Sequence, residues 1–439
     1  MRTVPPPQVT TADEGLHQPL PERVEQALGE LAEQAREGLM ALSVAVGLRV
    51  LGEMMAEEAT EIAGPKGRHD PDRTAKRHGT ERGSVTLGGR RLRIRRPRLR
   101  SADDRSEIRL GSYEHFASRD PLAKVVLERL LAGVSCRRYE RTGEPVGSEA
   151  EAEQVSTSRS AVSRTFVERT REALGELMSR RLDDVRLAVL MLDGIDLKGR
   201  TNVVALGITT EGQKVPLGLW EGSTENATVA TALLADLIER GLDTSQGVLC
   251  VIDGAKALRK AIRDVLGEPT PVQRCIRHKE RNVLAHLPER DRALVKRRLR
   301  AAWKPGEHES ALGRLQGLAS QLDRTHPGAA ASLREGMAET LTLTRLGIEG
   351  RLLQTLQSTN PCESMISVVR TTQRNVKRWR DGEMALRWTA AGMLEAERQF
   401  RCIVGYRDLG KLAVAVEREV AAVPLPSPTP KEVREPVTV

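Results

Sequence analysis

At 439 residues the chain is long enough for two or three compact domains. Its formal charge of +9 is concentrated, because residues 73–100 hold eleven Lys or Arg against one acid, Glu81, and the remainder is close to neutral. Basicity confined to one segment is a footprint for a polyanion, so nucleic acid is the first candidate partner. The odd, scattered cysteines (136, 250, 275, 362 and 402) contain no Cys-x-x-Cys pair that could begin a zinc site and fit a reducing compartment. The apolar run at 38–48 stops at Arg49, short of the ~20 residues of a membrane span, and Pro5-Pro6-Pro7 does not suit a signal peptide. A cytoplasmic protein is expected.

Residues 1–22 and 423–439 are Pro-rich and apolar-poor, and both ends are expected to be loose. From about 23 to 62 the apolar residues recur at helical spacing, as in Val24, Leu28 and Leu31, until Gly64-Pro65-Lys66-Gly67 stops the pattern. The period then changes. Ser84–Leu87, Gly88-Gly89 and Arg90–Arg96 predict a β-hairpin, since a Gly-Gly pair supplies the positive φ angles of a tight turn. Arg91, Arg93 and Arg95 alternate with Leu92 and Ile94, which puts the arginines on one face. With Arg90, Arg96, Arg98 and Arg100 they form a candidate surface for the DNA backbone.

Residues 120–140 read as helical, followed by a polar loop with Gly143, Pro145 and Gly147. Ser148 can cap a short helix, and the Ser156-Thr157-Ser158 turn can cap a helix beginning at Arg159. That spacing suits a helix-turn-helix whose second helix offers Arg159 and Arg164 to DNA.

Strands are predicted at Leu187–Leu192, Asn202–Ile208 and Lys214–Trp220, then a helix at Ala227–Arg240 ended by Gly241. A strand at Val248–Ile252, a helix at Lys256–Leu266 and a strand at Pro271–Ile276 follow. Three strands on short turns can form an antiparallel meander, and two reached through helices can pair parallel to it. From Lys279 to about Leu356 only helical spacing appears, broken at Pro288, Pro305-Gly306 and Pro327-Gly328. A last helix starts near Pro361, with further helix to about Val420.

Asp193 follows Val189–Leu192 and Asp253 follows Val248–Ile252, each just before a glycine. Acids at the ends of two buried strands share one edge of a sheet, where α/β folds place ligands. Carboxylates gathered there repel unless a cation lies between them, and hard oxygen ligands select Mg²⁺ or Mn²⁺. An Asp before Gly also commonly opens a turn, but two in the same setting favour the metal.

Glu363 has a strong alternative role. Asn360-Pro361-Cys362-Glu363 offers an N-cap, a Pro at the first helical position and a Glu that could close a capping box. At about 100° per residue, however, Arg370, Arg374 and Lys377 fall within roughly 40° of Glu363. Met365, Val369 and Trp379 lie opposite. A cap does not require that basic row, whereas a metal-binding carboxylate beside phosphate-binding residues does.

At these residues the sequence resembles the Mutator-type transposases of bacterial insertion sequences, within the DDE superfamily. The resemblance rests on Arg-Arg-Pro-Arg-Leu-Arg at 95–100, Leu-Asp-Gly at 192–194, Ile-Asp-Gly at 252–254, Cys-Ile-Arg-His at 275–278 and Ser-Thr-Asn-Pro-Cys-Glu-Ser at 358–364. It implies an RNase H-like core interrupted by a helical insertion, with Asp193, Asp253 and Glu363 as catalytic acids holding two divalent metals. Cys275 and His278 match the family's Cys-x-x-His motif; two ligands fall short of the four of a structural zinc site, which favours packing or DNA positioning. It further implies double-stranded DNA as partner, through the terminal inverted repeats of the element and its target, a homodimer or higher oligomer on DNA, and a bacterial, nucleoid-associated protein.

The expected fold is thus α/β, an RNase H-like mixed-sheet core with an all-α insertion, preceded by a helical and β-hairpin DNA-binding region. Its segments are 23–118 (N-terminal helices and hairpin), 119–184 (helical, with the helix-turn-helix), 185–278 (first part of the core), 279–357 (insertion) and 358–422 (completion of the core and C-terminal helices). The expected activity is cleavage and joining of DNA at the element's ends by two-metal phosphodiester chemistry. The alternatives are an inactive or domesticated DNA-binding protein, or a related nuclease without strand transfer.

Overall fold

The computed structural model describes residues 39–68, 73–87, 90–118, 120, 123–134, 154–156, 159–197, 199–222 and 227–422. The chain forms a mixed α/β architecture of two compact units, one of residues 1–128 and 134–166 and the other of 129–133 and 167–439. Among the described residues no helix is long and apolar enough to cross a membrane.

In the first unit, helix α1 (Leu39–Ala63) lays Val44, Leu51, Met55 and Ala59 on a long hairpin. Gly64 ends the helix at φ 74°, a left-handed position that costs glycine little. Strands β1 (Ala75–Leu87) and β2 (Arg90–Ser101) pair antiparallel, and β3 (Glu107–Ile108) pairs with β2. The Gly88-Gly89 turn lies outside the described residues. A fourth strand, β4 (Gln154–Ser156), also pairs with β2. Ser156 therefore belongs to a strand rather than to the predicted capping turn, because the β2 edge offers its backbone partners that a turn would lack. The proposed Ser148 helix lies outside the described residues. Helices α2 (Gly111–Ser118), α3 (Ala123–Leu131) and α4 (Arg159–Ser179) follow in the chain.

The second unit is built on a five-stranded sheet in the order β7-β6-β5-β8-β9. Strands β5 (Leu187–Asp196), β6 (Thr201–Thr209) and β7 (Lys214–Gly222) form the predicted meander. Helix α5 (Ala227–Glu239) leads to β8 (Leu249–Ile252), and α6 (Lys256–Leu266) leads to β9 (Val272–Arg274). Both late strands join in parallel. Strand β5 is central and almost entirely buried, which explains its unbroken apolar run.

Alternation along the strands divides the core in two. Leu190, Leu192, Cys250 and Ile252 pack with α5 and α6. Val189, Met191, Leu249 and Val251 pack on the other face, against the C-terminal helices.

Between β9 and those helices lie α7 (Ile276–Ala285), α8 (Glu289–Ala302), α9 (His308–Asp323), α10 (Pro327–Arg334), the short α11 (Thr342–Arg345) and α12 (Gly350–Leu356). The first four enclose a core of their own that includes Val283, Leu299, Leu315 and Leu333, whereas Leu343 of α11 and Leu352, Leu353 and Leu356 of α12 pack into the core of the sheet. Pro288 stands at the N-cap of α8 and Pro327 in the first turn of α10, so these breaks restart helices. Buried polar groups tie this bundle to the sheet and its helices to one another. Gln273 on β9 donates to the Thr340 carbonyl (3.0 Å) and accepts from the Leu343 amide (3.0 Å). Lys279 is buried and donates to the carbonyls of Ser332 (2.7 Å) and Glu335 (2.5 Å).

Candidate active site

Strand register determines where the two aspartates meet. Leu192 pairs with Ile252, so Asp193 and Asp253 come next on neighbouring parallel strands. Each lies two residues beyond Met191 or Val251, and both side chains therefore fall on the face covered by the C-terminal helices. That face carries α13 (Asn360–Thr372), whose Cys362, Met365, Ile366 and Val369 enter the same core. The helix brings Glu363 to the end of the sheet.

The electrostatics follow from this gathering. Burial pushes the Asp193 carboxyl up to about 7, and the charge of Asp253 adds to it; Glu363 adds a smaller push, while His278 and the Gly194 amide pull the other way. Asp253 keeps its orientation by accepting from the Ala255 amide at 2.8 Å. Asp253 and Glu363, although distant in sequence, thus both act on Asp193 in space.

Glu363 is not part of a capping box. The N-cap is Thr359, one residue earlier than predicted, and no side-chain cap hydrogen bond forms. Ser358, Thr359 and Asn360 are all capping residue types, and sequence could not choose among them. Glu363 Oε1 instead accepts from the Thr359 hydroxyl at 3.1 Å. The amide of Thr359 donates to Cys275 Sγ at 3.5 Å, and its hydroxyl lies 3.6 Å from the same sulfur.

Cys275 is fully buried. Burial raises its pKa, but His278 and Thr359 beside it outweigh that and leave the thiol below its usual value. His278 Nδ1 stands 3.9 Å from Glu363 Oε1 and is buried without a hydrogen-bond partner. The Cys275 thiol raises the His278 pKa; burial opposes this, and the charges of Asp193 and Asp253 support it. Cys275, His278 and Glu363 offer ligand atoms within 4.8 Å of one another.

The expected basic row on α13 does not survive. The helix ends at Thr372, where the hydroxyls of Thr371 and Thr372 bond back to the carbonyls of Ser367 (2.9 Å) and Val369 (2.7 Å). Such back-bonding competes with helix propagation. Arg370 is exposed on the helix, whereas Arg374 lies in the turn beyond it and donates to the Ala132 carbonyl at 3.0 Å. Lys377 is exposed in irregular chain.

In the hairpin, Arg91, Arg93 and Arg95 are exposed and Leu92 is buried, as the alternation predicts. Other arginines of that strand are structurally engaged. Arg96 pairs with Glu81 at 2.6 Å and lies 4.0 Å over the Tyr113 ring; Arg98 pairs with Glu107 at 3.1 Å; Arg90 is buried. Arg100 is half-buried. Arg164 is exposed on α4, and Arg159 opens that helix.

The profile of the family described as "Transposase, Mutator family" matches residues 22–402. The chain belongs to the Mutator family of transposases. It is 28% identical over 205 residues to the transposase for insertion sequence element IS6120 of Mycolicibacterium smegmatis, covering 45% of this chain and 62% of that protein. Against the transposase for insertion sequence element IST2 of Acidithiobacillus ferrooxidans it is 30% identical over 168 residues, 38% of this chain and 55% of that one. Against the transposase for insertion sequence element IS256 in transposon Tn4001 of Staphylococcus aureus the identity is 25% over 342 residues, 75% and 83% of the two chains. The chain thus spans less than two thirds of the first two relatives' lengths. All five motifs that carry the Mutator resemblance lie inside the matched segment.

Proposed function

We propose that the chain is a DDE-type transposase that cleaves and joins DNA at the ends of its own insertion sequence. Asp193, Asp253 and Glu363 are its catalytic acids, on a core of the RNase H-like kind. The observation that carries this reading is the joint placement of the acids: the two aspartates on adjacent parallel strand ends, and a glutamate delivered by the helix packed over them.

The donor set fits divalent cations of the Mg²⁺ or Mn²⁺ type. The three acids offer hard oxygens only, and a carboxyl pushed up to about 7 by burial and a neighbouring charge is relieved when a cation enters. Two such ions, when bound, activate the attacking oxygen and stabilise the leaving one in an in-line displacement at phosphorus. The protein's own groups do the positioning. Asp193 and Asp253 are held by the sheet, the Ala255 amide orients Asp253, and the Thr359 hydroxyl orients Glu363. His278 places a basic group beside Glu363. Water as nucleophile gives strand cleavage, and a DNA 3′-hydroxyl gives strand transfer. No covalent protein intermediate is needed. The exposed arginines of β2 serve duplex binding, in a homodimer or higher oligomer on DNA.

The test is to incubate the purified full chain with Mn²⁺ and DNA carrying the flanking ends of its element. Nicked 3′ ends and joined products are expected. Nicks without joining would indicate a nuclease, and end binding without nicks an inactive DNA-binding protein.

A further inference from the structure

Outside residues 73–100 the chain is near neutral in sum but not in distribution: residues 277–304 carry ten Lys or Arg against three acids. Six of these cations line two adjoining depressions of about 260 and 580 Å³ on α7 and α8, which share Arg277, Glu280 and Arg300. The six are Arg277, Arg281, Arg292, Lys296, Arg300 and Lys304. Arg292, Lys296 and Arg300 recur every four residues on α8, which places a cation about every 6 Å along one face, and Lys304 follows just beyond the end of the helix.

Glu280 is the one carboxylate lining the groove, and it is shared by Arg300 at 2.7 Å and Lys296 at 3.8 Å. Arg277, Arg281 and Lys304 make no ion pair among the described residues. Some other exposed arginines of this unit have acid partners, for example Arg263 with Glu268 and Arg398 with Glu395. Unpaired like charges lining a concavity repel one another, and the walls focus their field outward. Trp303 closes one end rigidly, since it is buried with its indole N–H donated to Thr340 Oγ1 at 3.1 Å.

The same end is bordered by Gln357 and Ser358. Ser358 directly precedes Thr359, the residue that holds Glu363. The groove therefore ends beside the segment that holds Glu363.

We infer that this groove binds the phosphodiester backbone of DNA and leads it to the carboxylates. The inference rests on the transposase reading for its substrate, but its contacts are electrostatic and do not require the chemistry. Regular cations and few base-reading groups favour sequence-independent contact.

The test compares two triple variants of the full chain on a labelled random-sequence duplex over a KCl series. Arg277→Ala/Arg281→Ala/Lys304→Ala removes three groove cations that make no ion pair and leaves Arg292, which donates to the Leu287 carbonyl at 3.0 Å. Arg290→Ala/Arg297→Ala/Arg324→Ala removes equal charge from the same helical region outside the groove. The groove variant is expected to keep its melting temperature, to bind more weakly, and to lose up to about 2.7 from the slope of log K against log salt, at about 0.9 per phosphate contact. The control should keep nearly the whole slope. In cleavage assays the groove variant should raise KM for DNA and leave kcat nearly unchanged. Equal slopes for the two variants, or an unchanged slope in the groove variant, would overturn the inference. If the groove variant flattens the slope of a protein that never cuts DNA, the groove stands and the transposase reading falls. If the protein cuts and the slope is unmoved, the groove alone falls.

Discussion

The hydroxyl of Thr359 donates to Glu363 Oε1 at 3.1 Å, while the amide of the same residue donates to Cys275 Sγ at 3.5 Å. One residue thus links the Cys-x-x-His segment to the third acid. Thr359→Val removes the hydroxyl and keeps the shape; a hydrogen bond to a charged group is worth about 1.5–3 kcal/mol, discounted here because Glu363 is partly exposed. Cleavage should fall about ten-fold, and Thr359→Ser should restore most of it. Equal activity in Val and Ser variants, measured as initial nicking rates with Mn²⁺, would show that the contact does not orient Glu363.

Asp193→Asn, Asp253→Asn and Glu363→Gln should each reduce nicking and joining by at least ~1,000-fold, on the order of 4 kcal/mol of barrier. Duplex binding should stay within about two-fold, because no phosphate-binding cation is touched. Glu363→Gln is the most informative of the three, since the glutamate closes no capping box and the swap therefore has no cap to lose. A fully active Gln variant would remove Glu363 from the catalytic set.

The Asp193 carboxyl lies at about 7, above its unfolded value of about 3.9. A raised folded pKa means that the metal-free native state holds the proton more tightly than the unfolded chain. The stability this contributes is complete below about pH 4 and is lost as pH rises through about 7. Metal-free protein should therefore melt lower at pH 8 than at pH 6, and Asp193→Asn should cancel most of that difference. Mn²⁺ requires the ionised carboxylate, so its affinity should weaken up to about ten-fold per pH unit below 7. Calorimetric titrations at the two pH values would settle both signs.

In the hairpin the exposed trio and the paired arginines should behave differently. Replacing Arg91, Arg93 and Arg95 with Ala should weaken binding to every duplex and flatten its salt dependence without altering the melting temperature. Arg96→Ala should instead cost about 1 kcal/mol of stability, through Glu81 and the Tyr113 ring. A salt slope unchanged in the triple variant would make that face a solvated surface only.

Lys279 is buried, and its ammonium satisfies two carbonyls at the end of α10. Burial holds its pKa down at about 8. Lys279→Met leaves both carbonyls without that donor and should destabilise the fold by about 1–3 kcal/mol in chemical denaturation. No loss would mean that water replaces the ammonium there.

Local pattern determined a good deal of this protein. Short apolar runs marked the strands of the sheet, prolines and glycines marked the breaks between helices, and an Asp beyond each of two buried runs pointed to the candidate site, because these signals depend only on neighbouring residues. What depends on partners distant in sequence was decided by tertiary structure. Strand β4 exists because the edge of β2 was open to it. Extrapolated periodicity carried Arg374 and Lys377 along a helix that in the structure stops at Thr372, where hydroxyls turn back on the backbone. Three adjacent capping residue types hid the role of Thr359 until packing set Cys275 beneath it. The cations of α7 and α8 cancel against acids elsewhere when charge is summed along the chain, and only the packing of those helices gathers them into one groove.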